Sequence, residues 1–186
     1  MRKHSQLFSV LVLALVALTF AIPAVGETSL VMHSEPGDYI GLGRDYFITD
    51  ADGNFIGYGS QNKDYAGIYI SCSQLCLFWY LDFKAPSGQQ LLVGSYPNAT
   101  RYPFQEPDEP GLDIAGDGRG CNTLTGNFEV LAIQYGPNGE LLTLWATFEQ
   151  HCEGGIPALF GEIKFNVEAV PVAQTTWGAI KSLYAR

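Results

Sequence analysis

Glu149 and His151 stand two residues apart in the run Phe148-Glu149-Gln150-His151-Cys152. On a strand, that spacing sends both side chains out of one face. Glu153 follows Cys152, and Arg119 lies next but one before Cys121. A bridge between those two cysteines would carry a carboxylate, an imidazole and a guanidinium into one neighbourhood. Such a cluster can serve as a catalytic or anion-binding site, where burial and mutual charge move pKa values. It can equally be structural, with Arg119 clamping Glu149 or Glu153 in a two-pronged ion pair. The structural use is the expected one.

More carboxylates precede it. Asp108, Glu109, Asp113 and Asp117 fall in a glycine-rich stretch, and acids so placed can hold calcium or act as acid and base toward a sugar. The plainer expectation is a solvated acidic loop in which Asp113 or Asp117 caps a turn. Asp113, Asp117, Arg119, Glu149, His151 and Glu153 together form the candidate cluster, functional or structural. Asp50-Ala51-Asp52-Gly53-Asn54 has the alternating oxygens of a calcium loop but lacks the closing glutamate, and an Asp-Gly turn between strands explains it better. Calcium is thus a minor expectation, and no cofactor is assigned.

Other chemistries are excluded by pattern. No serine sits in a nucleophile elbow and no His-Glu-x-x-His run occurs. The Cys and His spacing fits no common zinc finger. Oxidised cysteines would leave no thiol nucleophile. No catalytic residue and no metal ligand is assigned.

The compartment is read from the first residues. Arg2 and Lys3 precede an apolar run from Leu7 to Ile22, and Ala24-Val25-Gly26 supplies small residues for cleavage before Glu27. That is the three-part form of a signal peptide over residues 1–26. The run is short for a membrane span, which needs about 20 residues, so no span is expected after cleavage. The remaining 160 residues suit one domain. They carry eight basic and nineteen acidic residues, a formal charge of −11. So acidic a chain repels nucleic acid, whose binding depends on basic groups neutralising phosphate.

An even set of four cysteines, Cys72, Cys76, Cys121 and Cys152, reads in an exported chain as two disulfides. Three pairings are open. Cys72 and Cys76 flank Ser73-Gln74-Leu75, so a hairpin loop would bring them together and leave Cys121 and Cys152 for a long-range bridge.

Glycine, proline, asparagine and aspartate punctuate the chain densely, and the stretches between them read as strands. Residues 45–49 and 55–58 flank the Asp50–Asn54 turn as one expected hairpin. Residues 67–71 and 77–83 form a second. Residues 127–135 and 141–150, around Gly136-Pro137-Asn138-Gly139, form the clearest. In the last strand of that hairpin, Leu142, Leu144, Ala146 and Phe148 share one face. Residues 91–96 predict a short strand and residues 159–165 the final one. The proline- and glycine-rich stretch 97–120 reads as a long loop. The expected fold is all-β, an antiparallel β-sandwich or barrel of about eight to ten short strands.

Tyr39, Tyr46, Tyr58, Tyr65, Tyr69, Tyr80, Trp79 and Trp145 make the sheet rich in aromatic side chains. Exposed rings would suit carbohydrate stacking, whereas rings on strands more often face the core. After residue 167 the character changes. Residues 168–186 read as a proline-containing linker followed by a short amphipathic C-terminal helix, with Trp177, Ile180 and Tyr184 at i, i+3 and i+7.

The runs Tyr102-Pro103-Phe104-Gln105, Pro110-Gly111-Leu112-Asp113, Gly116 to Gly126, Phe148 to Gly155 and Pro157-Ala158-Leu159-Phe160-Gly161 resemble a domain of exported bacterial proteins, found alone or inside larger surface proteins. The likeness runs from about residue 37 to 166. It implies a β-rich fold and a Cys121–Cys152 pairing, and it implies nothing about activity. Within that span Cys72 and Cys76 read as an addition at a hairpin tip.

Taken together, residues 27–167 are expected to form one disulfide-stabilised β-domain, secreted, at the cell surface or in the periplasm. Its expected role is non-catalytic binding or structural work on an extracellular ligand, carbohydrate or protein. The rival is a glycan-directed hydrolase using the 97–120 carboxylates with Glu149 or His151.

Overall fold

A computed structural model describes residues 26–72 and 77–168. The expected signal peptide, Cys76 and the expected C-terminal helix lie outside the described residues. Within them the chain is all-β, with no helix. Its ten strands are β1 (Glu27–Ser34), β2 (Asp45–Thr49), β3 (Gly53–Gly59), β4 (Tyr65–Cys72), β5 (Phe78–Lys84), β6 (Gly94–Arg101), β7 (Gly111–Gly116), β8 (Leu124–Tyr135), β9 (Leu141–Cys152) and β10 (Ala158–Val167). They form one nearly closed, barrel-like sheet in the order β2-β1-β10-β9-β8-β6-β7-β5-β4-β3. All pairs are antiparallel except a short parallel contact of β6 with β7 at Thr100↔Gly111 and Arg101↔Leu112. The sheet is therefore mixed rather than wholly antiparallel.

Alternation decides what is inside. Leu144, Ala146 and Phe148 on β9 point inward with Leu30 and Met32 of β1, Ile163 of β10, Val130 and Phe128 of β8, and Trp79, Leu81 and Phe83 of β5. Phe83 packs edge-on against Phe128 at a centroid distance of 5.3 Å. Each fully buried side chain of this size contributes about 2 kcal/mol of hydrophobic stabilisation. Leu142 departs from its expected face and is exposed, because the β8–β9 register shifts between Gln134 and Tyr135.

Two of the expected hairpins form. β4 pairs with β5 from Tyr65↔Lys84 to Ser71↔Phe78, and β8 pairs with β9 through a turn whose Gly139 takes φ +85°. The hairpin expected of residues 45–58 does not. Asp52 closes that turn by accepting from the Thr49 amide at 2.9 Å and hydroxyl at 2.7 Å, yet β2 and β3 are the two edges of the sheet. β3 pairs along its length with β4 instead, and its glycines allow close approaches on its other side. A Cβ at Gly57 would stand 2.6 Å from Phe165 Cε1, and one at Gly59 would strike the backbone of Gly139 and Leu141. Lacking those carbons, β3 comes close to Phe165 of β10 and the start of β9 while β2 pairs with β1, so the turn spans the seam of the barrel.

The stretch 97–120 is not a long loop. It contains the end of β6 and all of β7, in which Leu112 and Ile114 are buried and Asp113 and Ala115 alternate outward. Its proline and glycine are absorbed locally. Pro97 sits where the β6–β8 register shifts between Tyr96 and Ala99. Gly116 leaves room for the Trp79 ring. A strand that was not expected, β1, lies inside the sheet between β2 and β10, and Glu27 and Val167 stand opposite each other at its start.

Cys121 and Cys152 are joined by a disulfide with a Cα–Cα distance of 5.3 Å, tying the segment between β7 and β8 to the end of β9. Cys72 is also disulfide-bonded, and its expected partner, Cys76, lies outside the described residues.

Candidate functional site

The six-residue candidate cluster separates into four local arrangements. Asp117 and Arg119 belong to the turn after β7. Arg119 Nε donates to Ile40 O at 2.8 Å, its Nη2 lies 3.8 Å from Asp117 Oδ2, and Asp117 Oδ1 accepts the Leu77 amide at 2.8 Å. Arg119 thus pins the 35–44 loop to this turn and holds neither Glu149 nor Glu153, contrary to the expected clamp. Glu153 accepts from the Asn122 amide and the Thr123 hydroxyl, which keeps its carboxyl below the ordinary range. These are loop-fastening roles around the disulfide.

Glu149 and His151 do meet, on the outer face of β9. Glu149 Oε1 lies 2.9 Å from His151 Nε2, and Asn127 Nδ2 donates to Oε2 at 3.1 Å. The hydrogen bond with His151, then that from Asn127, lowers the Glu149 pKa; the same bond with Glu149 raises that of His151. His151 Nδ1 also lies 2.9 Å from Ile156 O. Beside the pair, an open groove of about 470 Å³ crosses β1, β10, β9 and β8, lined by Val31, Glu129, Thr147, Phe160 and Glu162 as well as Glu149. Glu162 accepts from Trp145 Nε1 at 2.6 Å.

Asp113 lies elsewhere, on the outward face of β7, directly opposite Asp82 of β5. Between β7 and β9 stands Gln150, a residue the sequence did not single out. It is 1 % exposed and reaches through the barrel interior, accepting from the Ile114 amide at 2.8 Å and donating to the Ile114 carbonyl at 2.9 Å. Because Gln150 and Ile114 meet inside, their neighbours Glu149 and Asp113 face outward, away from each other. No centre is shared between the 97–120 carboxylates and the Glu149–His151 pair.

What surrounds Asp113 is a tyrosine face. The strand register places Tyr58, Gly67, Asp82 and Asp113 in one outward row across β3, β4, β5 and β7, with Ile56, Tyr69, Tyr80 and Ala115 in the next. Tyr69 and Tyr80 are 4.9 Å apart, and Tyr65 stacks on Tyr102 at 5.1 Å. Tyr58 and Tyr80 are half exposed, whereas Trp79, one residue away on β5, is wholly buried. A hollow of about 320 Å³ is bounded by Tyr58, Tyr65, Tyr69, Tyr80 and Asp82. Gly67 makes it possible, since a Cβ there would collide with the Tyr65 hydroxyl and stand 3.1 Å from Asp82 Oδ1.

The Tyr65 hydroxyl donates to Asp82. Burial, then the Asp82 charge, pushes the Tyr65 phenol far up, so it remains a donor. Burial raises Asp82 as well, against the lowering effect of that hydrogen bond. Asp113 is pushed up to about 6 by burial and by the charge of Asp82, although Arg101 Nε lies 3.7 Å from its Oδ2. Asp113 Oδ1, Arg101 Nε and Gln105 Oε1 are buried and make no hydrogen bond among the described residues.

The signal for this face was present in the chain as Asp82, one acid inside the aromatic run Leu77–Phe83. Among the described residues no group of three or more His, Cys, Asp or Glu is placed to hold a metal ion, and no helix is long and apolar enough to cross a membrane. No family model, no curated protein and no solved structure matches this chain.

Proposed function

We propose that the chain is an exported, non-catalytic binding module, at the cell surface or in the extracellular medium, that takes a carbohydrate chain on the tyrosine face of β3, β4, β5 and β7. The observation that carries this reading is the outward row of Tyr58, Gly67, Asp82 and Asp113 beside the paired rings of Tyr69 and Tyr80. A pyranose ring has an apolar C–H face and a rim of hydroxyls. Half-exposed phenol rings offer flat apolar area that is already fixed in place, and the half-buried Asp82 carboxylate among them accepts hydroxyl hydrogens. Ligand sites of this kind combine an aromatic lining with a few convergent polar groups and shifted pKa values. The disulfide and the loop-fastening bonds of Arg119 and Glu153 support the scaffold and not the ligand.

The test is retardation of the secreted protein in native gels containing soluble polysaccharides, compared with Tyr58→Ala and Tyr80→Ala. Both rings are half exposed, so their loss should spare the fold. Each variant is expected to bind about tenfold more weakly, as for a central aromatic contact. Retention that survives both substitutions, or no retention by any polysaccharide, would remove this reading.

A further inference from the structure

We infer that Asp82 and Asp113 act as a one-proton pair that sets the charge of the tyrosine face, admitting anionic sugar chains in mildly acidic surroundings and turning them away at neutral pH. The inference rests on the binding reading given above, and it concerns how that site is regulated. Its basis is register and enclosure. The two residues are direct cross-strand partners on the same face of β5 and β7, and like charges directly opposite on neighbouring strands are destabilising. Neither can swing away freely. Tyr65 holds Asp82 from β4, and Asp113 is walled by Arg101 from β6 with Oδ1 buried.

The charged and titratable groups facing the pair can be enumerated by element. β3 offers Tyr58 and β4 offers Tyr65. β5 offers Lys84, whose Nζ is taken by Asp64 at 2.5 Å. β6 offers Arg101, and the segment after it offers Tyr102, whose phenol is raised by burial and then by Asp82. Arg101 is thus the one cation that faces the pair without another acid on it among the described residues, and its charge cancels one carboxylate. With one proton bound, Asp82, Asp113 and Arg101 sum to zero. With the proton lost, they sum to −1.

Asp113 keeps its proton to about pH 6 in the folded chain, against 3.8 for an ordinary aspartate. The folded state therefore binds more protons between those values, and the associated stability is complete below about pH 4 and lost as pH rises to 6. The extra negative charge beside Asp82, which lines the hollow, then opposes a ligand carboxylate, weakening anionic chains about three- to tenfold, the size expected for one partly screened charge at short range. Neutral chains should bind with little change.

The experiment has two arms on the intact secreted protein. The first follows the side-chain carboxyl carbons of labelled aspartate by NMR from pH 3 to 8. One resonance should titrate near pH 6 and vanish in Asp113→Asn. Ordinary titration of both carboxyls would overturn the inference, even if the protein binds glycan. The second arm measures affinity for polygalacturonate and for a neutral β-glucan at pH 5 and pH 7.5. The ratio of the two should change by the stated factor in the wild type and stay constant in Asp113→Asn. A ratio that does not move with pH in the wild type would also overturn the inference. If neither chain binds while Asp113 titrates near 6, it is the carbohydrate reading of the face that fails, and with it the gating, but not the proton pair.

Discussion

Replacing Gln150 by methionine should be among the most damaging single changes available that leave volume nearly intact. Gln150 spans the interior and supplies both a donor and an acceptor to Ile114. It is needed there because β6 reaches only Thr100 and Arg101 in its parallel contact with β7. The remainder of β7 on that side has no strand ladder, so a side-chain amide stands in for one. Methionine fills similar space but offers neither group. Two buried backbone groups of Ile114 would then lose their partners at about 1–3 kcal/mol each, against a small gain from burying a thioether instead of an amide. The net expectation is a loss of about 2–4 kcal/mol, which for a domain near 150 residues lowers Tm by roughly 5–15 °C. Urea denaturation under non-reducing conditions, followed by tryptophan fluorescence, would measure it, since Trp79 is wholly buried. A change smaller than about 0.5 kcal/mol would refute the reasoning, because it would mean Ile114 finds other partners at no cost.

Further outcomes are expected. Reducing the Cys121–Cys152 bridge, or replacing both cysteines by alanine, should cost about 4 kcal/mol for a separation of 31 residues, read from the denaturation midpoint. Glu149→Gln should bring the His151 titration back down toward the ordinary imidazole range, seen by NMR, while changing stability by less than about 1 kcal/mol because the pair lies on the partly exposed outer face of β9. Gly67→Ala should displace the Tyr65 hydroxyl from Asp82 and cost about 1–2 kcal/mol, and Tyr65→Phe should match it; a neutral Gly67→Ala would count against the packing described for the hollow.

The parts of the fold legible in the sequence were those where local turn chemistry and alternation agree. Gly136 to Gly139 between two long alternating runs led directly to β8 and β9, and the 159–165 alternation led to β10. β7 was hidden because its short apolar alternation of Leu112 and Ile114 is bracketed by Gly111 and Gly116, which serve packing against Gln105 and Trp79 rather than flexibility. The β2–β3 relation was unreadable for a different reason. An Asp-Gly turn specifies a reversal of direction but not whether the arms pair, and here β2 pairs with β1 while β3 pairs with β4. Of the candidate cluster, only the Glu149–His151 contact was read from the sequence, while Arg119 meets Asp117 and not the Glu149 or Glu153 expected. The tyrosine face depends on register across four strands, and its one local sign is Asp82 inside an aromatic run.

The opposition of Glu27 and Val167 on neighbouring strands has a mechanical meaning. The flanks of the domain enter and leave at one corner, with Lys164 gripping Glu27 at 3.0 Å beside them. A domain so built can be spliced into a surface loop of another protein without prising its host apart. The same geometry dictates how it yields. Tension between the flanks would open the β1–β10 ladder one hydrogen bond at a time, like a zip, and not load all its bonds in shear. The Cys121–Cys152 bridge lies outside that line of force, so the domain should unravel under tension at β1 well before the disulfide bears any load.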